Sequence, residues 1–481
     1  MNNRTFTYQT RFLIEDKAEV ILESYAALYG KVERTLFSDL IQGKDLNFLK
    51  KNYLVQYEIT ARQFNAIRIA LEGKIDAAEQ SRIRNIIDLK EKIGSLRKKL
   101  PKMRNKETRH AKSRKLHAME DRLNKLELKK AQGKISLCFG GKKLFHAQYA
   151  LEENGYNSHE EWKLDWTEAR NSDFFCLGSK DETSGNQSCI LTLDQEGNGS
   201  LKIRLPNALA RIHGKYLTLS GVVFSYGWQE IKKALDSGQA LSYRFKKDSK
   251  GWRVFISFKQ EAAPVVTKSV LGAIGIDINA NHIAAVEIDA QGNPIHKETI
   301  PLNTYGKTKN RAKALIGDVC KKIVSIAKEA KKPIILEKLD FTKKKASLKE
   351  MTPKQARGLS SFHYSQTLEG LQARAFKEGV EVYSVNTALT SIIGKIKYSY
   401  RYGYSVHHSA ALCIARRYYK FSEALSKSPM KVVYKNIQVT CPVPARKRDQ
   451  HVWKFWREAH RKLQTVLAAH FRARKGSLCP S

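Results

Sequence analysis

The chain reads as a multidomain α+β protein, and three observations carry that expectation. It has 481 residues, more than one hydrophobic core usually takes, which predicts two to four domains. Its apolar pattern changes character twice, from helical spacing to strand alternation and then to strands and helices in turn. Its apolar strands also carry acids, although Lys and Arg number 86 against 47 Asp and Glu, a formal charge of +39.

Residues 4–12 alternate polar and aromatic side chains and predict one strand. Helical patterns run from about Asp16 to Gln132. Within them, Ile86, Ile87, Leu89, Ile93 and Leu96 recur at helical spacing, Pro101 breaks the run, and Leu116, Met119, Leu123 and Leu126 resume it. This is a charged helical hairpin, either a solvated arm or an arm that grips a nucleic-acid duplex. From Ile135 to about Lys259 the pattern is that of strands: Leu201–Leu205 alternates strictly, and Trp252–Phe258 nearly so. Several of these strands place basic residues outward, which suits contact with a phosphate backbone. The loop Phe139–Phe145, with Lys142 and Lys143 after two glycines, is either a phosphate-approaching loop or a simple turn.

Glu261–Lys268 reads as a linker. After it come predicted strands at Ala273–Ile278, Ile283–Ile288 and Pro294–Ile300, with Ala290–Asn293 as a hairpin turn. An amphipathic helix follows over about Asn310–Ala330, then strands at Ile334–Leu336 and Val380–Val385, and a small-residue helix from about Val406. The tail from Arg446 is basic, with a helical pattern through Trp453, Trp456 and Leu463.

So large a positive charge needs a polyanion. No uninterrupted apolar run is long enough to cross a bilayer, and Met1–Phe6 does not resemble a signal peptide. RNA, DNA or both are therefore the expected partners, in a cytoplasmic setting and without a membrane. The seven cysteines are scattered with no Cys-x-x-Cys pair. No zinc site is readable, and no disulfide framework is expected.

Three positions carry the expected chemistry. Asp277 sits among Ile274, Ile276 and Ile278, where an unpaired carboxylate is costly unless it holds a cation. Glu337 ends the apolar run Ile334-Ile-Leu336; a salt bridge with Lys338 is its plain alternative. Carboxylates of this kind suit hard cations, and paired Mg²⁺ ions drive phosphodiester hydrolysis in many nucleases. No aspartate lies between Phe341 and Arg448, so a third carboxylate of that type is missing. His407 shares a helix face with Ala410, Ala411 and Ile414, which must pack on the sheet. It is either a metal ligand or a core or capping histidine. Gly306-Lys-Thr308 is not a nucleotide loop, because position 301 is Pro rather than Gly.

Together these segments resemble the TnpB-like transposon-encoded RNA-guided nucleases, the ancestors of type V CRISPR effectors. Gly275-Ile-Asp277-Ile-Asn resembles the first RuvC motif, and Leu336-Glu337-Lys-Leu-Asp340-Phe the second. Tyr383–Thr390 resembles the Val-Asn-Pro segment, and Ser409-Ala410-Ala411 with Ile414 the third motif. The resemblance implies a RuvC/RNase H-like α/β nuclease domain over 266–481. Upstream it implies a β-barrel-like wedge domain from 1–15 and 133–265, and a helical recognition domain over 16–132. It further implies an RNA-guided DNA endonuclease of the prokaryotic cytoplasm, on the nucleoid when bound to DNA. Its partners would be a guide RNA and target double-stranded DNA. Two Mg²⁺, for which Mn²⁺ may substitute, would be held by Asp277, Glu337 and His407. A nuclease-dead guided binder and a guide-independent RNase H-fold transposase are the alternatives. Two departures stand out. The family's zinc knuckles are replaced by the Tyr- and Lys-rich stretch 391–404, where Lys395, Lys397 and Arg401 are candidate nucleic-acid contacts beside a plain tyrosine-packed loop. His407 stands where the family has its third aspartate.

Overall fold

A computed structural model describes residues 3–338, 361–386, 388–424, 429–434, 437–445 and 451–476. It is a mixed α/β chain of two compact units, Met1–Glu261 and Ala262–Ser481.

The first unit begins with strand β1 (Arg4–Arg11), then α1 (Asp16–Ile41), α2 (Leu46–Gln56), α3 (Ala61–Lys99) and α4 (Lys106–Ala131). Local chemistry sets these boundaries. Asp45 caps α2 by accepting from Phe48 N–H, and Thr60 and Gln63 form a reciprocal capping box at the start of α3. Pro101 sits in a tight 3₁₀ turn that ends α3, and Asn105 then caps α4. The first half of α3 buries Phe64, Ile67 and Leu71 in the core, whereas α4 buries no residue and is a solvated arm.

The stretch expected to hold only strands also contains helices, namely α5 (Lys142–Ala147), α6 (His159–Arg170), α7 (Asn207–His213) and α8 (Trp228–Asp236). Each is short, so turn residues on either side mask its period; Ser158, which caps α6 by accepting from Glu161 N–H, is the kind of signal that marks one. Between them run β2 (Asp173–Cys176), β3 (Cys189–Leu193), β4 (Asn198–Arg204), β5 (Tyr216–Val223), β6 (Ser242–Asp248) and β7 (Gly251–Gln260). They form a sheet in the order β1-β7-β6-β2 and another in the order β3-β4-β5. One hydrophobic core joins Leu22, Tyr25 and Phe64 of the helices to Phe174, Tyr243 and Trp252 of the strands. The boundaries expected at 15/16 and 132/133 therefore fall inside one unit. Many outward basic residues are already paired: Arg244 with Asp173, Lys247 with Glu19 and Glu23, and Arg11 and Arg253 with Asp248.

In the second unit, the stretch expected to be a linker is fastened down. Ala263 N–H donates to the Phe376 carbonyl, Val266 N–H to Gly379 and Lys268 N–H to Lys331. The order is then β8 (Ala273–Ile278), β9 (His282–Ile288), β10 (Pro294–Pro301), α9 (Lys309–Ala330), β11 (Ile334–Glu337), α10 (Ser361–Glu378) and β12 (Val382–Val385). The sheet order is β10-β9-β8-β11-β12, with β8–β10 antiparallel and β11 parallel to both β8 and β12. Helix α11 (Thr390–Ile393) continues through a π turn into α12 (Ser399–Tyr402), and α13 (Val406–Tyr418) follows. A hairpin unread in the sequence, β13 (Met430–Tyr434) and β14 (Ile437–Cys441), precedes α14 (Val452–Gly476). Residues 446–450 of the basic tail and residues 339–341 of the second motif lie outside the described residues.

The sheet is covered on both faces. Ile274, Ile276 and Leu336 point to α9 and α10, whereas Ala273 and Ile335 point to α13. A Cβ on Gly275 would lie 2.0 Å from the Ala411 carbonyl oxygen and 2.9 Å from Ala415 Cβ. Helix α13 thus rests on the backbone of β8. Gly275→Val should therefore destabilise this unit by at least about 2 kcal/mol, as overpacked cores do. Faster native-state hydrogen exchange of β8 and α13 amides would show it; unchanged protection would mean the contact is not tight.

Candidate active site at the end of the central sheet

Strands β8 and β11 run parallel, with Ile274 level with Ile334 and Gly275 level with Ile335. Continued by two residues, that register sets Asp277 level with Glu337. Both alternate onto the face that packs α13, since strand side chains repeat every second residue. The helix supplies the third group by the same geometry. From the Gly275–Ala411 contact, Asp277 lies about 6.6 Å along its strand and His407 one turn, about 6 Å, back along its helix. The two therefore meet: His407 Nδ1 is 3.1 Å from Asp277 Oδ2.

A carboxylate only accepts, so His407 Nδ1–H donates to it. Asn279 Nδ2 donates to the same oxygen at 3.0 Å. Asp277 Oδ1 has no hydrogen-bond donor among the described residues, in a side chain only 13% exposed. At Glu337, Oε2 accepts from the Tyr364 hydroxyl at 2.9 Å. Burial, and then the charge of Glu337, raise the Tyr364 pKa and keep its proton on the hydroxyl.

The neighbouring histidines have distinct roles. His408 Nε2 lies 3.2 Å from the Glu298 carbonyl and 3.1 Å from Thr299 Oγ1, and its Nδ1 lies 2.9 Å from Ser405 Oγ. The carbonyl requires Nε2–H, so Nδ1 accepts from Ser405. Ser405 in turn caps α13 by accepting from His408 N–H. The His408 ring thus ties the Ser405 cap to β10, and burial lowers its pKa. His282, at the start of β9, meets the His407 ring edge-on at 4.8 Å between centroids, and burial followed by His407 lowers its pKa.

Sequence reasoning passed over His282, Asn279 and Tyr364. Asn279 follows Asp277 by two, a spacing that places both on one side of a strand, so its signal was available. His282 and Tyr364 have no local signature, because only sheet pairing and the packing of α10 bring them near.

Among the described residues no group of three His, Cys, Asp or Glu side chains is drawn together as a metal cluster. The donor chemistry nonetheless suits a hard divalent cation at the acids. Asp277 Oδ1 is an uncommitted oxygen on a mostly buried carboxylate, and the neighbouring parallel strand carries a second carboxylate at Glu337. With Nδ1–H turned to Asp277, a neutral His407 keeps its lone pair on Nε2, a weaker match for Mg²⁺ than oxygen.

The stretch with the candidate contacts Lys395, Lys397 and Arg401 is helical rather than a loop. Its π turn, Gly394–Tyr398, buries Ile396 and Tyr398. A Cβ on Gly394 would lie 2.5 Å from the Ser409 carbonyl carbon, so this turn sits against α13. Lys397 is not a freely offered cation: it pairs with Glu423 at 2.7 Å, beside Arg416 at 2.9 Å and the Tyr398 hydroxyl. Lys395 is half-buried, and burial lowers its pKa. Arg401 is exposed, with its guanidinium 5.3 Å from the Tyr402 ring centre. Lys142 and Lys143 are exposed at the start of α5. Asn386 and Ala388 of the Val-Asn segment are held by Arg417, which donates to both carbonyls; Thr387 lies outside the described residues. No helix among the described residues is long and apolar enough to cross a membrane, and the six described cysteines are free.

No family model and no curated protein matches the chain. Among solved structures it is similar to T. thermophilus RuvC in complex with Holliday junction substrate, at 15% identity over 30% of this chain and 90% of that one, TM-score 0.22. It is also similar to the Cas12f1–sgRNA–target DNA complex, at 12% identity over 86% and 99%, TM-score 0.22. A Cas12i–crRNA–dsDNA complex matches at 10% identity over 78% and 56%, TM-score 0.26. Scores this low do not say which residues act.

Two outcomes separate stability from chemistry here. His407 is 45% exposed, so His407→Ala should cost no more than about 1 kcal/mol in urea unfolding, as for partly exposed pairs. A larger loss would make it a structural residue. Glu423→Ala strands Arg416 and Lys397 together and should cost about 3 kcal/mol, whereas replacing all three by apolar residues should cost less.

Proposed function

We propose that this chain is an RNA-guided DNA endonuclease whose RuvC-like second unit cuts DNA by metal-assisted phosphodiester hydrolysis. The observation that supports this reading is that Asp277 and Glu337 each lie two residues beyond the last paired positions of adjacent parallel strands, with His407 against Asp277. The motif order along the chain and the charge of +39 support a polynucleotide partner. Asp277 would hold both of two divalent ions, and Glu337 and His407 would each complete one. Such ions, when bound, lower the pKa of an attacking water and stabilise the leaving oxygen. The chain's own work is positional. Asn279 and His407 fix the Asp277 carboxylate through Oδ2, and Tyr364 fixes Glu337. In this pose Nδ1–H faces the carboxylate and Nε2 points away from it, so His407 would have to turn out of this hydrogen bond to complete an ion that Asp277 also holds. A guide RNA would neutralise much of the basic charge and pair with one DNA strand, with the protein reading a short flanking motif.

A second reading, a nuclease-dead guided binder, is favoured by one observation. Both acids already have side-chain donors, and an imidazole stands in the third place. Mg²⁺- and Mn²⁺-dependent cleavage of a guide-matched target separates the two, because a dead binder protects the target uncut. A transposase of the same fold needs no guide, so a preparation free of RNA would favour it.

For the endonuclease, Asp277→Ala should abolish cleavage in either metal and leave RNA affinity within about twofold; equal loss of both refutes the assignment. RNA affinity should also fall steeply with salt, by about 10³-fold or more from 50 to 200 mM, because many phosphates are neutralised.

A further inference from the structure

The first unit contains a groove that the proposed cleavage does not use. It has a volume of about 720 Å³ and lies between α3 and one face of the β1-β7-β6-β2 sheet. On the sheet side, Phe175, Arg244 and Phe255 stand directly opposite one another on three neighbouring strands. They form a cross-strand row of two partly exposed rings flanking Arg244, whose guanidinium is paired with Asp173 at the same groove. Facing them, α3 presents the small residues Ala70, Gly73 and Ala77, beside Ile69 and a Lys74 that is paired with Glu33. Nothing lies within 4 Å of a Cβ built on Gly73, so open space stands above the rings. Tyr29 also lines the groove; it is 5% exposed, and its hydroxyl has no hydrogen-bond partner among the described residues. A buried, unsatisfied hydroxyl is costly and marks a place where a polar ligand atom belongs. Lys246, exposed at the same face, makes no ion pair among the described residues.

Flat rings, a lysine at the same face and a lone buried hydroxyl match a nucleobase that carries a phosphate. Aromatic faces stack on any base, and lysine meets the phosphate. A duplex buries its base faces and cannot use such a platform. We propose that this groove binds an unpaired nucleotide of an RNA strand: its base stacks on Phe175 and Phe255, its phosphate meets Lys246, and Tyr29 Oη bonds a polar edge. This deepens the RNA-partner part of the proposed function and is independent of cleavage.

The test uses the full chain and a labelled eight-nucleotide single-stranded RNA, read by fluorescence anisotropy, with an RNA duplex of the same length as control. Gly73→Leu projects a side chain into the groove from a position whose Cβ meets nothing within 4 Å, and improves the helix; Phe175→Ala/Phe255→Ala removes the platform. Each should weaken single-strand binding about tenfold or more, the scale of one lost base stack, with duplex binding unchanged. Tyr29→Phe should weaken it severalfold. Photocrosslinking of 5-iodouridine RNA should map to Phe175, Phe255 or Tyr29 and vanish in Gly73→Leu. Unchanged single-strand affinity in a folded Gly73→Leu protein, or crosslinks elsewhere, overturns the proposal. If a mononucleotide competes as well as the oligomer, the occupant is a free nucleotide and the RNA assignment fails. Loss of binding in Gly73→Leu with no cleavage in any form upholds the groove and counts only against the endonuclease.

Discussion

The candidate site depends on one contact, the seating of α13 on the bare backbone of β8 at Gly275. Any side chain there would collide with the Ala411 carbonyl and with Ala415. The close approach fixes both the distance and the phase of the helix. His407 lies one turn before Ala411 and Asp277 two residues after Gly275, so seating the helix brings imidazole and carboxylate together. Gly394 does the same from another side, where its turn lies against Ser409. Helix α13 is held between a strand and a π turn, each touching it through glycine. Packed interiors tolerate little displacement, so such a clamp can hold a site to within the tolerance that catalysis demands.

Charge is handled differently at different depths. On the first unit's sheet, cations that face outward are largely paired with acids, and their net contribution to stability is small. Around Glu423 the pairing is more buried, with two cations and a tyrosine hydroxyl converging on one carboxylate. This network pins irregular backbone with strong, directional bonds, and it loses its balance if any one member is removed.

Much was legible along the chain. The strand alternation, the break at Pro101, the cap signals and the placing of Asp277 and Glu337 at strand ends are local properties. They follow from backbone sterics and from the cost of burying charge. The face assignment of His407 also followed from the spacing of Ala410, Ala411 and Ile414, because helical phase is local. The short helices α5–α8 and the β13–β14 hairpin were not legible, since each spans too few residues for its period to rise above the neighbouring turns. The pairing of Lys397, a candidate nucleic-acid contact, was hidden for a similar reason: its partner Glu423 is 26 residues away, and nothing between them announces the pair.

The amino-acid sequence by itself determined which residues can carry charge into an apolar layer, and which element each belongs to. These are decided by side-chain chemistry and by periods of two and 3.6 residues. Only the tertiary structure decided which of them meet. His282 joins His407 because antiparallel pairing returns β9 beside β8, and Tyr364 reaches Glu337, the last residue of β11, from α10 on the opposite face of the sheet. The groove over Phe175 and Phe255 exists because three strands align in register beneath the small residues of α3. Such meetings depend on register and packing between segments distant in the chain, which no local pattern encodes.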